Sequence, residues 1–167
     1  MIKRIALSLL LAASLAAPAL ADVTAGPLVI REAWARATPP GARVGGGYLT
    51  VKNTGAEPDT LVSVASPVAE KTELHLMKTE DGVMTMRQAS EGVEIPAGGS
   101  LTLEPGGYHV MFIRPKTPFV QGETVPLTLT FAKAGAVEVT LTISPIGAAG
   151  PAKDHSMHDM HSGDAAQ

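Results

Sequence analysis

The chain contains no cysteine. No disulfide can hold its fold, and no thiol can act as nucleophile or redox group. A blue-copper centre, which needs a thiolate ligand, is excluded on the same ground. Excess positive charge is also missing. The formal net charge is −3, and removing the first 21 residues takes away Lys3 and Arg4 but no acidic residue. That balance argues against nucleic acid or anionic lipid as a partner. No stretch carries a sustained 3.6-residue apolar period, no internal repeat is visible, and no segment after residue 21 is apolar enough to span a membrane. No stable membrane insertion is expected of the mature chain.

The N-terminus reads as an export signal. Lys3 and Arg4 form a positive start, Ile5 to Ala17 an apolar run, and Ala19-Leu20-Ala21 a small-residue cleavage box. Residues 1–21 are therefore expected to be a signal peptide cleaved after Ala21, with the mature protein in the periplasm. In an oxidising compartment, a protein that binds a soft metal without thiols would use methionine and histidine.

The mature chain alternates short runs of Val, Thr, Ile and Leu with Gly/Pro punctuation. Strands are predicted over 28–36, 47–53, 60–66, 71–79, 83–89, 93–95, 100–103, 108–114, 124–131 and 137–143. Many short strands at this spacing imply an all-β sandwich or barrel. One domain is expected over residues 22–146. Gly45-Gly46-Gly47 marks either a bulge or a close backbone approach. Trp34, the sole tryptophan, reads as a packing anchor, and Lys52 and Glu73 as part of a solvated face.

Methionine and histidine are unevenly spent. Apart from Met1, every methionine falls at 77, 84, 86, 111, 157 or 160. His75-Leu76-Met77 and His109-Val110-Met111 are two His-x-Met pairs on predicted strands. Residues two apart on a strand share a face. Leu74 and Leu76 then face the core and His75 and Met77 face away from it. Tyr108, Val110 and Phe112 likewise oppose His109 and Met111. Asp81-Gly82 signals a two-residue hairpin. With that loop, Thr79 pairs with Met84 and Met77 with Met86, which gathers His75, Met77, Met84 and Met86 on one face. Whether the His109–Met111 pair joins them depends on the fold. Thioether and imidazole donors without carboxylate are poor for Ca²⁺ and Mg²⁺ and weak for Zn²⁺, but suit Cu(I).

Residues 147–167 differ in character. A Gly/Ala/Pro linker leads into His155, Met157, His158, Met160 and His161, a segment too poor in apolar residues to fold alone. It is expected to be a disordered tail and a secondary metal site.

At these residues the chain resembles the PCuAC family of periplasmic copper chaperones. The resemblance is carried by Ala33-Trp34-Ala35-Arg36-Ala37-Thr38-Pro39-Pro40-Gly41, Gly47 to Gly55, Glu73-Leu74-His75, Gly82-Val83-Met84-Thr85-Met86 and Pro105 to Met111. The family pattern sets a Met ten residues after a His, then a His-x-Met after about twenty-one more. Here ten residues separate His75 from Met86, and 22 separate Met86 from His109, one longer. The resemblance implies a cupredoxin-like Greek-key barrel or sandwich. It implies one Cu(I) held by His75, Met86, His109 and Met111, with Met77 and Met84 in supporting positions. It implies a tail that captures Cu(II). It also implies a non-enzymatic role in delivering copper towards the copper centres of cytochrome c oxidase, alongside a Sco-type thiol protein. The competing role is copper sequestration or tolerance without delivery.

Overall fold

The computed structural model describes residues 22–152. The expected cleavage site after Ala21 and the tail residues His155 to His161 lie outside them.

The described residues form eleven strands and no helix: β1 (Val23–Ala25), β2 (Leu28–Arg36), β3 (Val44–Asn53), β4 (Asp59–Ala65), β5 (Ala69–Glu80), β6 (Val83–Gln88), β7 (Val93–Ile95), β8 (Ser100–Leu103), β9 (Tyr108–Pro115), β10 (Thr124–Phe131) and β11 (Gly135–Ser144). All ten predicted strands are present. The extra one, β1, is a three-residue piece paired to β2, too short to carry an alternation signal. The order across the sheet is β6-β5-β9-β8-β3-β2-β11-β10-β4-β7, with β9 also pairing with the first part of β3. Most pairings are antiparallel. β11 and β2 run parallel, and β8 and β9 share a single parallel bridge.

The sheet rolls over on itself, bringing β4 against β5 and β7 against β8 and β3. The enclosed core includes Leu49, Leu74, Val110, Phe112, Leu129 and Leu141, each under 5% exposed. Burying side chains of this size contributes about 1.5–3 kcal/mol apiece, so the alternation that points them inward also dictates which residues point out.

The triple glycine lies inside β3 and resolves as close approach. A Cβ on Gly47 would stand 2.8 Å from Phe112 and 2.9 Å from Leu141, both core side chains. One on Gly46 would stand 2.6 Å from the Tyr48 hydroxyl. Glycine here lets two layers of side chain approach the backbone. Trp34 is buried as expected, stacked on Tyr48 with ring centroids 4.4 Å apart.

The chain after β11 is tied back to the sheet. Arg36 Nε donates to the Ala148 carbonyl at 2.7 Å, the Ala152 amide donates to Ser144 Oγ at 2.9 Å, and the Arg36 guanidinium lies over the Tyr48 ring.

Replacing Gly47 with alanine should overpack the core beside Phe112 and Leu141 and destabilise the domain by about 1–3 kcal/mol. A shift of the urea midpoint with unchanged slope would report it. An unshifted midpoint would mean that those side chains can move aside.

Candidate metal centre

The centre is built on three adjacent strands, with β5 between β6 and β9. The β5–β6 hairpin turns through Asp81 (φ 52°) and Gly82 (φ 78°). Two successive positive φ values are the mark of the tight hairpin turn whose twist suits antiparallel strands. The register is the expected one: Glu80 opposite Val83, Thr79 opposite Met84, Met77 opposite Met86 and His75 opposite Gln88.

On the other side of β5 the fold supplies what the hairpin alone could not. β5 pairs with β9 so that His75 stands directly opposite His109, Glu73 opposite Met111 and Leu74 opposite Val110. Directly opposed residues share a face. Glu73, His75 and Met77 of β5, His109 and Met111 of β9, and Met84, Met86 and Gln88 of β6 therefore all project from the outer face. Leu74, Val110 and Phe112 fill the inner one. The two imidazole rings are 6.0 Å apart between centroids and tilted by 44°.

All six expected residues of this stretch are thus brought to one face, but not to equal positions. His109 is the direct neighbour of His75. Met111, Met77 and Met86 are each one step removed, along the strand or on a diagonal. Met84 is a further step out, toward the hairpin tip, and is 66% exposed against 47% for Met86. The register sets Met84 apart from the others. It does not separate Met77 from Met86.

The hydrogen bonds around the two rings differ. His109 is buried, and its Nδ1 lies 3.1 Å from the Gly107 carbonyl oxygen. A carbonyl can only accept, so Nδ1 carries the hydrogen and Nε2 keeps its lone pair. The same Gly107 carbonyl accepts the Met77 amide at 3.0 Å. One oxygen therefore ties the ring of His109 to the backbone of β5. Burial pushes the His109 pKa below the ordinary histidine value; the Gly107 hydrogen bond pulls the other way, and the nearby His75 adds a lesser push in the same direction as burial. His75 Nε2 lies 2.8 Å from Glu73 Oε2, while its Nδ1 is buried with no hydrogen-bond partner.

Glu73 corrects the expectation of a solvated face. It is only 8% exposed and also contacts the Lys71 ammonium. The Lys71 hydrogen bond, then that of His75, holds its carboxyl below the usual glutamate range, so it remains a carboxylate. The signal for it was present, since Glu73 and His75 are two apart on one strand. The role of the Gly107 carbonyl had no side-chain signature to betray it.

Chemically this is a donor set of two imidazoles and several thioethers. Among the described residues, no group of three or more His, Cys, Asp or Glu is placed to hold a metal ion. Imidazole and thioether donors match a soft monovalent ion. The orphaned His75 nitrogen is the kind of buried acceptor that a metal satisfies.

The sequence profile of the family described as "Putative lipoprotein LpqE-like" matches residues 28–143. A protein of Leifsonia xyli subsp. xyli named "Putative lipoprotein Lxx21020" is 33% identical over 120 residues, covering 72% of this chain and 71% of that protein. The solution structure of CuI-DR1885 from Deinococcus radiodurans matches with a TM-score of 0.55 at 34% identity, covering 69% of this chain and 76% of that one. The apo PCuAC domain from PmoF1 matches with a TM-score of 0.63 at 26% identity, covering 75% and 99%.

The depressed His109 pKa makes a prediction for the metal-free protein. A histidine held neutral by the fold binds a proton more readily when unfolded, so stability should be full above about pH 6.5 and fall as the pH drops below it. Urea midpoints between pH 7.5 and 5 should show that decline, and His109→Gln should flatten it. An equal decline in the variant would remove His109 as its source. By profile, sequence identity and shared cupredoxin-like fold, the chain belongs to the LpqE-like family, and its β-domain is of the PCuAC type.

Proposed function

We propose that this protein is an exported copper chaperone that takes up one Cu(I) on the outer face of β5, β6 and β9. The observation that carries this reading is the direct pairing of His75 with His109 on a face flanked by methionines. A solved relative at 34% identity is itself described as a Cu(I) form. The proposed ligands are His75, Met86, His109 and Met111, with Met77 beside them and Met84 on the approach from the hairpin tip. The role is binding and transfer rather than catalysis.

Thioethers bind without losing a proton, so only the imidazoles tie affinity to pH. Neutral His109 supports binding in mildly acidic surroundings. The exposure of Met84 and Met86 leaves one side of the centre open to a partner. That opening suits hand-over to an acceptor, proposed to be the copper centres of cytochrome c oxidase working with a Sco-type thiol protein. The tail residues His155, Met157, His158, Met160 and His161 are proposed to capture Cu(II), and the periplasm is the proposed compartment.

Anaerobic Cu(I) titration of residues 22–167, with and without residues 153–167, tests this directly. One Cu(I) should remain with the truncated form. His75→Ala or His109→Ala should weaken it at least about tenfold, equivalent to about 1.4 kcal/mol. Met84→Leu should weaken it less than Met86→Leu. Loss of all binding with the tail would move the primary site there and defeat the proposal.

A further inference from the structure

Among the described residues, Glu73 is the one carboxylate built into the outer face beside the histidines. It is not a member of the proposed ligand set, and its burial on an exported surface strand calls for a reason. Burying a charge is costly unless it is paired and hydrogen-bonded. Glu73 meets that requirement with Lys71 on one oxygen and His75 on the other.

We propose that Glu73 is a positioning residue that holds His75 as the tautomer with hydrogen on Nε2, so that His75 offers copper its Nδ1 while His109 offers its Nε2. The proposal rests on the copper reading above and adds to it which atom of each ring binds.

Three observations support it together. First, an ionised carboxylate can only accept, so the 2.8 Å contact from Glu73 Oε2 requires the hydrogen on His75 Nε2. Second, that leaves the lone pair on Nδ1, and Nδ1 is the buried ring atom with no partner. An unpaired buried acceptor is costly, and a bound metal removes that cost. Third, His109 is fixed the other way round, with Nδ1 donating to the Gly107 carbonyl. Two identical side chains directly opposed across a ladder are thus keyed by different acceptors, one a side chain and one a backbone carbonyl, into opposite tautomers. A ligating histidine whose second nitrogen donates to a carboxylate or carbonyl is the general arrangement that fixes ring orientation and raises ligand basicity.

The arrangement also bears on charge. Two imidazoles and two thioethers are all neutral, so a bound Cu(I) would bring an uncompensated positive charge to the face. The Glu73 carboxylate, directly opposite Met111 by register and two residues from His75 on the same strand, lies where it offsets that charge without becoming a ligand.

Ring-nitrogen NMR of the full mature chain tests this, using long-range proton–nitrogen correlations. In the metal-free protein the His75 hydrogen should be found on Nε2 and the His109 hydrogen on Nδ1. Adding Cu(I) alone should shift Nδ1 of His75 and Nε2 of His109. Glu73→Leu should leave His75 as a mixture of tautomers and weaken Cu(I) binding by about 10- to 100-fold. Glu73→Gln, which keeps an oxygen acceptor, should restore much of the single tautomer and lose less affinity. A His75 hydrogen on Nδ1, copper bound through Nε2 of His75, or unchanged Cu(I) affinity in a folded Glu73→Leu variant would each overturn the proposal. The metal-free tautomer is decided by the wild-type spectrum, whether or not any variant folds. Absence of Cu(I) binding by the wild type would defeat the copper reading itself, and with it the metal-directed part of this one.

Discussion

The pairing of β5 with β9 in a single register is the constraint on which the centre depends. His75 and His109 meet because Leu74 meets Val110 and Thr72 meets Phe112 on the other side of the same ladder. A slip of β5 by one residue would turn His75 into the core and put Leu74 into solvent, leaving His109 with no imidazole opposite it. Each apolar side chain so exposed forfeits about 1.5–3 kcal/mol, and each polar ring so buried adds a further cost. The apolar core therefore enforces the metal geometry. No dedicated interaction at the outer face is needed to hold the strands in place, which leaves the donors there free to be soft and exchangeable.

Within that frame the donors divide by strand position. The histidines sit on interior strands, enclosed on both sides by the sheet, and their rings are tied to Glu73 and Gly107. Met84 and Met86 sit on β6, the edge strand, with much of their surface exposed. Directional ligands are thus placed where the backbone is stiffest. The adaptable thioethers, with three rotatable bonds each, are placed where it is least restrained. An exposed edge strand carrying methionine would ordinarily invite unwanted pairing. β6 is only six residues long, which limits that risk.

How much of this was legible in the sequence follows from the range of each signal. Alternation and turn chemistry act over a few residues, so the strands, the hairpin register and the outward face of each His-x-Met pair could be read directly. The meeting of His75 with His109 spans three intervening strands, β6, β7 and β8, and only the folded sheet or a family resemblance could join them. The one extra residue between Met86 and His109 stays clear of the β5–β9 register for a physical reason. The intervening β7 and β8 pair with β4 and β3, so the length of that excursion has no part in the β5–β9 register. Glu73 was misread because an acidic residue on a strand's outer face is usually solvated. Its burial depends on His75 and Lys71 closing over it.

The parallel pairing of β11 with β2 has a consequence for how the molecule is assembled. Trp34 and Thr142, near opposite ends of the described chain, are ladder neighbours, and β10, β4 and β7 join the sheet through β11. These three strands therefore wait for the last one, and loop closure over that distance is slow in a β-topology. The metal-bearing half does not wait. β3, β5, β6, β8 and β9 all lie within residues 44–115 and pair with one another. The order of synthesis and the order of contact thus favour early formation of the histidine pair, before the fold around it has been closed.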